Sequence, residues 1–598
     1  MITGRRGRLR TAPGAAAVLF LLLGAAAALP PPATPRPPGS HAARAILLSF
    51  DGVSGERLAE MLERGALPDG GFRSIAERGL LARRSRPPTP SLTAVAHVTH
   101  VTGALPEKTG VVANEMLDFS RPFGTKLSGF DAPIRADTLW QAARRQGLRV
   151  GIVAYPGADG ATPERRGDFG LAWVYFGATT ARIEKLPASA WGNAADPRSF
   201  SHARSARIAF PPTAHAATVT ALDTTDDGRA NYDRLRIESE VGPPVTAAVG
   251  DWFPVEVRGE KARTGAWCKL LRLEPDLSRT EIYVGGLYSN RAYPDDFRRD
   301  LDAEVGFWPG KPEDKYFGAD SANPGVYLEQ AERLGDYLTR ATLFAAVRME
   351  WNLLLVYEPQ VDEISHVFLL TDPKQTGYTA DRAKRFRSYV EGAYRHADRA
   401  LESIVRALRP EDAIVVTSDH GLVPVRTAVY VNEILRETGL LRLDAKGEVH
   451  PESAAVAMAG SGVANVFVNP KNAPPGTLDR IESVLEGFRV AGESPWDRVV
   501  RRADAGPLGL NARESGDLIA LARPGFAVSM SIEAGRTSGR PLSYGGHGYR
   551  NAFPALDATF LAAGPGIARE RIEEFPSWRI AGFLSRVLGI DPPRDAAP

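Results

Sequence analysis

The chain has 598 residues and the composition of a globular protein, with 43% hydrophobic and 24% charged residues. Its formal net charge is +2, but four arginines lie within residues 5–10, so the formal charge without residues 1–29 is −2. This balance excludes the basic excess that holds a stable nucleic-acid complex by its phosphates. Cys268 is the only cysteine, which excludes an internal disulfide and a cysteine-rich zinc site.

The first 29 residues have the pattern of a secretory signal peptide. A basic segment precedes the apolar run GAAAVLFLLLGAAAAL at 14–29, which is short for a membrane span and ends in small residues. The sequence therefore predicts an exported protein, periplasmic or extracellular, with no membrane span after cleavage. The alternative is an uncleaved anchor. Residues 30–42 are predicted to be a stiff, proline-rich spacer.

Buried strands alternate with long helical patterns along most of the remaining chain. The apolar runs are typical of parallel strands covered on both faces, and they lie at 45–50, 149–155, 352–358 and 413–419. Helical patterns occupy 326–350 and 378–408. The alternation predicts an α/β fold with a doubly wound, mostly parallel sheet flanked by helices.

The predicted α/β domain is interrupted twice. Residues 191–320 favour short strands with polar turns, which predicts a β-rich inserted subdomain. The catalytic domain then consists of residues 43–190 and 321–598, and its second part contains a small inserted cap at about 425–540.

Four separated motifs contain the candidate functional residues: Asp51, Thr93 with Asn114, Asp362 with His366, and Asp419-His420 with the distant His547. Each motif alone has an ordinary interpretation, such as a turn residue, a helix cap or an i,i+4 helix pair. Together they indicate a metal site, because carboxylates and imidazoles from several strand ends are what zinc and similar cations require.

These motifs resemble those of the alkaline phosphatase superfamily, in particular its nucleotide pyrophosphatase/phosphodiesterase branch. Asn114 follows Thr93 by 21 positions, the interval of that branch. The segments between them, HVTG at 100–103 and PEKTG at 106–110, are also similar to those of the branch. The resemblance implies an alkaline phosphatase-like fold and a metal-dependent phosphoesterase.

The resemblance also implies a role for each residue. Asp362, His366 and His547 would hold one Zn²⁺. Asp51, Asp419 and His420 would hold a second Zn²⁺, with the Thr93 hydroxyl as its fourth ligand. Thr93 would attack phosphorus and form a phosphoryl- or nucleotidyl-enzyme intermediate, and Asn114 would donate a hydrogen bond to a phosphoryl oxygen. The expected substrate is a small phosphodiester or pyrophosphate, such as a nucleotide or a lipid-like diester.

Several alternatives remain open from the sequence. A phosphomonoesterase, a phosphonate hydrolase or a phosphotransferase would use the same site, and a non-catalytic surface-binding protein is an alternative of another class. Residues 170–182 contain no Lys-x-Arg pair resembling the cationic clamp of the threonine-using monoesterases in the superfamily, which favours diesters. Arg165 and Arg166 are the candidates to replace that clamp.

The predicted insertion contains one further candidate site. The segment from Asp223 to Asp233 resembles a calcium loop, with Asp223, Asp227 and Asn231 as ligands and Gly228 at its sixth position. The alternative is a polar hairpin turn with Gly228 at positive φ.

Overall fold

A nine-stranded sheet forms the centre of the structure, a computed structural model that describes residues 41–597. Its strands, in spatial order, are Arg291–Tyr293, Phe169–Ala172, Val150–Val153, Leu353–Glu358, Arg44–Phe50, Asp412–Thr417, Ala558–Ala563, Leu80–Ser85 and Glu570–Glu574. The predicted signal peptide, and the predicted spacer up to residue 40, lie outside the described residues.

The four apolar runs of the sequence form four adjacent strands at the middle of this sheet. Arg44–Phe50 pairs in parallel with both Leu353–Glu358 and Asp412–Thr417, and Val150–Val153 pairs in parallel with Leu353–Glu358. Ala558–Ala563 runs antiparallel to both of its neighbours, so the sheet is mixed but mostly parallel. The predicted fold class is therefore confirmed.

Helices cover the sheet and bury its apolar residues. The α-helices of the described chain, not all of which contact this sheet, are Gly55–Glu63, Phe72–Arg78, Thr93–Thr102, Pro106–Thr109, Leu139–Arg145, Asp295–Glu304, Asp314–Phe317, Pro324–Arg348, Gln360–Phe368, Ala380–Ala407, Val431–Glu437, Thr477–Gly487 and Ile580–Leu588. Leu47, Leu354 and Val415 of the central strands are completely buried in one large core together with Leu338 and Phe386 of the two longest helices. The stability of this core makes the carboxyl ends of the strands a rigid platform.

Two antiparallel sheets lie between residues 182 and 289. One contains Val245–Ala247, Arg234–Glu238, Ala216–Leu222, Arg204–Ala209 and Gly192–Asn193. The other contains Trp252–Val257, Thr264–Leu273, Arg279–Val284 and Arg182–Pro187, with Tyr288–Ser289 paired to Thr264–Leu273. Their inner faces share one apolar cluster that includes Val219, Leu235, Phe253 and Ile282, as in a β-sandwich. The buried thiol of Cys268 lies in this cluster.

The segment proposed as a calcium loop connects the paired strands Ala216–Leu222 and Arg234–Glu238. Gly228 has a φ of +73°, as the alternative interpretation of a polar hairpin turn requires. Asp223 accepts hydrogen bonds from Ser201 and Thr225, and Asn231 donates to Asp227 at 2.9 Å. The calcium site stays a prediction.

The part of the chain after Thr417 adds three smaller sheets. The first contains Ala455–Gly460, Val463–Val468, Leu518–Ala522 and Trp496–Arg501; the second contains Phe526–Ser529, Thr427–Tyr430 and Ser538–Gly539; the third pairs Val423–Pro424 with Gly545–Gly546. Another two-stranded sheet pairs Glu115–Leu117 with Lys126–Ser128. The predicted domain boundaries stay predictions. Among residues 41–597, no helix is long and apolar enough to span a membrane.

Candidate active site

Asp51 and Asp419 lie at the same edge of the central sheet. Asp51 directly follows Arg44–Phe50, and Asp419 follows its parallel neighbour Asp412–Thr417 by two residues. The Gly52 amide donates to Asp419 Oδ1 at 3.2 Å, which joins the two strand ends. Gly52 has a φ of +73°, and a Cβ there would lie 2.8 Å from Cα of Asp362. The turn after Asp51 therefore requires glycine.

Asp362 and His366 enter the site from the helix Gln360–Phe368, which begins just after the strand Leu353–Glu358. Their i,i+4 spacing places His366 Nε2 3.3 Å from Asp362 Oδ2. The Asp362 amide donates to the Asp51 carbonyl at 3.1 Å, so this helix start is attached to the first strand end.

His547 reaches the site through the short ladder between Val423–Pro424 and Gly545–Gly546. This ladder brings the distant segment beside His420, and the two imidazole rings stack with centroids 3.7 Å apart. His547 Nε2 also lies 3.2 Å from His366 Nε2. All six side chains predicted as metal ligands thus meet at one place.

The six side chains form two overlapping groups. Asp51, Asp419 and His420 offer ligand atoms within 4.8 Å of one another, and so do Asp362, His420 and His547. His420 belongs to both groups because its ring lies between them, with Nε2 3.0 Å from Asp419 Oδ2. The resemblance assigns His420 to one ligand set only, whereas in the structure its ring lies between both groups. His366 lies beside Asp362 and His547.

Hydrogen bonds to backbone carbonyls orient two of the histidines. His366 Nδ1 donates to the Gly545 carbonyl at 2.8 Å, and His547 Nδ1 donates to the Ser91 carbonyl at 3.0 Å. With the proton held on Nδ1, the Nε2 lone pair of each ring faces the other ligands. This arrangement is typical of metal-binding histidines.

The carboxylates of the site lie close together and favour the binding of a positive charge. Burial raises the pKa of Asp51 well above its ordinary value, and the Asp419 and Asp362 carboxylates raise it further. Burial also raises the pKa of Asp362 to about 7, although His366 opposes the rise. Burial disfavours the Asp419 carboxylate as well, but His420 and His97 outweigh it and hold the pKa of Asp419 below its ordinary value.

Three carboxylate oxygens of the site have no hydrogen-bond partner in the described chain, which favours cation binding. Asp51 Oδ1, Asp362 Oδ1 and Asp419 Oδ2 are buried and make no hydrogen bond within the described chain. Across residues 41–597, none of these three carboxylates pairs with lysine or arginine. Buried carboxylates of this kind need a compensating charge, and the donors available are the oxygen and imidazole ligands that zinc accepts.

Thr93 lies at the amino end of the buried helix Thr93–Thr102, beside these ligands. Its Oγ1 is 3.3 Å from His420 Nε2. The N-cap of this helix is Leu92, and Thr93 is its first helical residue. The Thr93 hydroxyl is therefore free of a capping role. The end of the helix favours an anionic group at this position.

Asn114 is attached to the same helix end. Its Oδ1 accepts a hydrogen bond from the Ala94 amide at 3.0 Å, so its Nδ2 remains as a donor. Both Asn114 and Thr93 line a cavity of about 270 Å³. An amide donor and a hydroxyl group on one wall are suited to contact a tetrahedral anion such as a phosphoryl group.

His97 links the catalytic helix to the first strand. Its Nδ1 donates to the Thr93 carbonyl at 2.8 Å, and its Nε2 lies 2.8 Å from the Ser49 hydroxyl. Burial lowers the pKa of His97 below its ordinary value, although the Asp419 carboxylate opposes this shift. These contacts give His97 a structural role, because they hold the start of the helix against the strand.

Tyr357 is a site residue that the sequence analysis missed. Its hydroxyl donates to Asp51 Oδ2 at 2.6 Å, which orients that carboxylate and leaves Oδ1 free. The available signal was its position at the carboxyl end of Leu353–Glu358, the edge at which ligands bind in such sheets. Arg165, considered as a phosphate clamp, instead donates to Asp159 and to the Phe130 and Ala132 carbonyls.

The remaining walls of the catalytic cavity are aromatic and charged. Phe130, Trp173 and Tyr175 lie on one side, with 5.7 Å between the ring centroids of Phe130 and Tyr175. Arg291 and Lys311 also line the cavity. The two cations had not been predicted from the sequence.

Residues 45–550 match the family model described as type I phosphodiesterase / nucleotide pyrophosphatase. The chain belongs to this family. It is a type I phosphodiesterase/nucleotide pyrophosphatase family enzyme, and its predicted membership of the alkaline phosphatase superfamily is confirmed. The matched residues include the whole site described above.

Two curated members of the family are similar to a limited part of the chain. Ectonucleotide pyrophosphatase/phosphodiesterase family member 3 of Bos taurus is 31% identical over 127 residues, and family member 1 of Homo sapiens is 30% identical over 127 residues. Each alignment covers 21% of this chain, but only 14% of the bovine and 13% of the human protein.

Among solved structures, murine ectonucleotide pyrophosphatase/phosphodiesterase 5 is 15% identical, with a TM-score of 0.48 over 93% of this chain and 96% of that chain. An inactive variant of the murine protein in complex with AMP is 14% identical, with the same TM-score and coverage.

Proposed function

We propose that this enzyme hydrolyses phosphodiester or pyrophosphate bonds through a covalent intermediate on Thr93. The observation that carries the proposal is the position of Thr93 Oγ1, 3.3 Å from His420 Nε2 and on the wall of a cavity shared with Asn114. Thr93 Oγ would form a bond to phosphorus while the bond to the leaving oxygen breaks. Water would then release the phosphoryl or nucleotidyl group from Thr93.

The proposed cofactors are two zinc ions. Asp51, Asp419 and His420 would hold one, and Asp362, His366 and His547 the other; their free carboxylate oxygens and Nε2 atoms fit such ions. When bound, the ions would supply the positive charge that favours ionisation of the threonine hydroxyl and offsets negative charge on the reacting phosphoryl group.

Asn114 is proposed to donate from Nδ2 to a non-bridging phosphoryl oxygen. Replacing it in Asn114→Ala removes a donor that is already oriented by the Ala94 amide. We expect kcat to fall by about 10²–10³, the usual loss for one donor of this kind. Steady-state kinetics measure the effect. A kcat within twofold of wild type would show that Asn114 does not contact the transition state.

The substrate is proposed to be a diester or a pyrophosphate rather than a monoester. A monoester carries an additional negative charge on the transferred group and needs an additional cation. Arg165 is occupied by Asp159 and two carbonyls, and Arg166 stacks on Tyr293 at 4.4 Å, so neither replaces the missing Lys-x-Arg clamp. The aromatic wall of Phe130 and Tyr175 would receive a base or a similar apolar group, as in a nucleotide.

The proposed preference for diesters predicts the ratio of two kcat/KM values. The kcat/KM for bis-p-nitrophenyl phosphate should exceed that for p-nitrophenyl phosphate by at least about tenfold, because the second aryl group contacts the aromatic wall. The two esters share the same leaving group, so a difference in leaving-group pKa does not contribute to the ratio. A ratio below one would overturn the diester proposal and indicate a monoesterase.

Export to the periplasm or the extracellular space is also proposed, on the basis of the pattern in residues 1–29. Fractionation of cells that produce the complete chain, with sequencing of the amino terminus of the mature protein, tests both export and cleavage. Retention of residues 1–29 in the mature protein would contradict cleavage.

A further inference from the structure

A groove of about 810 Å³ adjoins the catalytic cavity. Three residues, Lys311, Glu363 and His366, line both spaces, whereas Thr93 and Asn114 line the cavity alone. The groove therefore meets the site on the side of the Asp362–His366 pair and not at the nucleophile. In phosphoryl transfer the leaving oxygen departs roughly in line with the attacking oxygen and opposite to it, so a group leaving from Thr93 needs space on another side of the cavity.

Hydrogen bonds join the two walls of the groove to each other and to the helix Gln360–Phe368. One wall is formed by residues 311–321 and the other by residues 536–544. Asp320 accepts hydrogen bonds from both Arg382 and Arg540, which joins the two walls. The second wall is attached to the metal-site helix, because the Tyr544 amide donates to the His366 carbonyl at 2.8 Å.

The charges of the groove favour an anion close to the cavity. Asp320 is neutralised by two arginines, and Glu363 accepts from the Tyr327 hydroxyl at 3.2 Å. Lys311 and Lys315, in contrast, are exposed and make no ion pair among residues 41–597. Asp314 and Glu363 are the lining carboxylates near these lysines that make no ion pair in the described chain. Lysine ammonium groups that are outside ion pairs are suited to phosphate oxygens.

We infer that this groove is the leaving-group subsite and that Lys311 and Lys315 select substrates whose leaving group is itself anionic, such as a pyrophosphate or a nucleoside phosphate. This inference rests on the proposed function. As the Thr93 Oγ–P bond forms, the P–O bond to the leaving group breaks and the leaving oxygen keeps the electron pair. The threonine proton passes to water. The two ammonium groups then contact the remote phosphate of the departing group.

The test compares two substrates with the same nucleoside. One is a nucleoside triphosphate, whose leaving group is pyrophosphate, and the other is the p-nitrophenyl ester of the nucleoside 5′-monophosphate. The readout is the ratio of their kcat/KM values, because a loss of folding or of metal lowers both rates together. In Lys311→Ala/Lys315→Ala, the ratio of triphosphate to nitrophenyl ester should fall by at least about tenfold, as expected for two exposed charge contacts.

Two further variants sharpen the result. Lys315→Glu places a carboxylate on the groove wall and should lower the ratio further than Lys315→Ala does. Lys446→Ala removes an exposed lysine from a turn outside both spaces and should leave the ratio unchanged. An unchanged ratio in the double variant, with wild type active on both substrates, overturns the groove inference alone. A wild-type enzyme that hydrolyses neither substrate overturns the proposed function and the inference with it.

Discussion

Thr93→Ala should lower kcat by at least about 10⁴-fold, the largest effect that we expect from any single substitution in this enzyme. The methyl side chain has no oxygen to attack phosphorus, while all six candidate ligands remain and only His420 loses a contact, the one at 3.3 Å to the Thr93 hydroxyl. Steady-state kinetics on a p-nitrophenyl nucleotide ester measure the loss. Metal analysis of the same preparation should still find two zinc ions per chain.

Two companion variants separate the loss of the nucleophile from a structural defect. Thr93→Ser retains a hydroxyl and should keep measurable turnover. Thr99→Ala makes the same change on the same buried helix, at a hydroxyl that makes no hydrogen bond within the described residues, and should stay active. A near-wild-type kcat for Thr93→Ala would show that threonine is not the nucleophile.

Removal of metal should abolish activity. Without bound cations the site leaves the buried Asp51 and Asp419 and the half-buried Asp362 close together, with no lysine or arginine partner in the described chain. Treatment with a chelator followed by desalting should therefore remove turnover and lower the Tm, since ligands that bind only the folded state stabilise it. Stoichiometric Zn²⁺ should restore both.

Substitution of one candidate metal ligand tests the same site without a chelator. His547→Ala removes one imidazole that is oriented by the Ser91 carbonyl and should lower the zinc content below two per chain. His450→Ala, on the loop at 444–453, removes an imidazole that belongs to neither ligand group and should retain both ions. Full activity and an unchanged Tm in metal-free protein would contradict a role for metal.

The sequence predicted much of the site because its signals are local. Asp51 and Asp419 follow runs of apolar residues that can only be buried strands, and parallel neighbours bring their carboxyl ends to one edge. Asp362 and His366 are four residues apart, so any helix places them together. His547 lacks such a signal and was assigned through the resemblance. In the structure it depends on a two-residue ladder whose partner lies more than a hundred residues earlier.

Other features arise from contacts that no local pattern encodes. The bond from Tyr357 to Asp51 joins residues 306 positions apart. The N-cap of the catalytic helix is Leu92 and not a residue with a capping side chain, because the tertiary structure orients this helix start through the Asn114 side chain and the Tyr549 backbone. Arg165 was a candidate clamp by its position but is used to hold a loop.

By itself, the sequence determined the α/β fold class, and it predicted the chemical types of the candidate ligands and the threonine beside them. The apolar pattern of a strand and the chemistry of a side chain can be recognised within a short segment, so they do not depend on contacts with distant parts of the chain. Only the tertiary structure decided that His420 lies between both ligand groups, that Tyr357 orients Asp51, and that a groove with two free lysines adjoins the cavity. These features depend on distances between segments far apart in the chain, and packing of the complete core sets those distances.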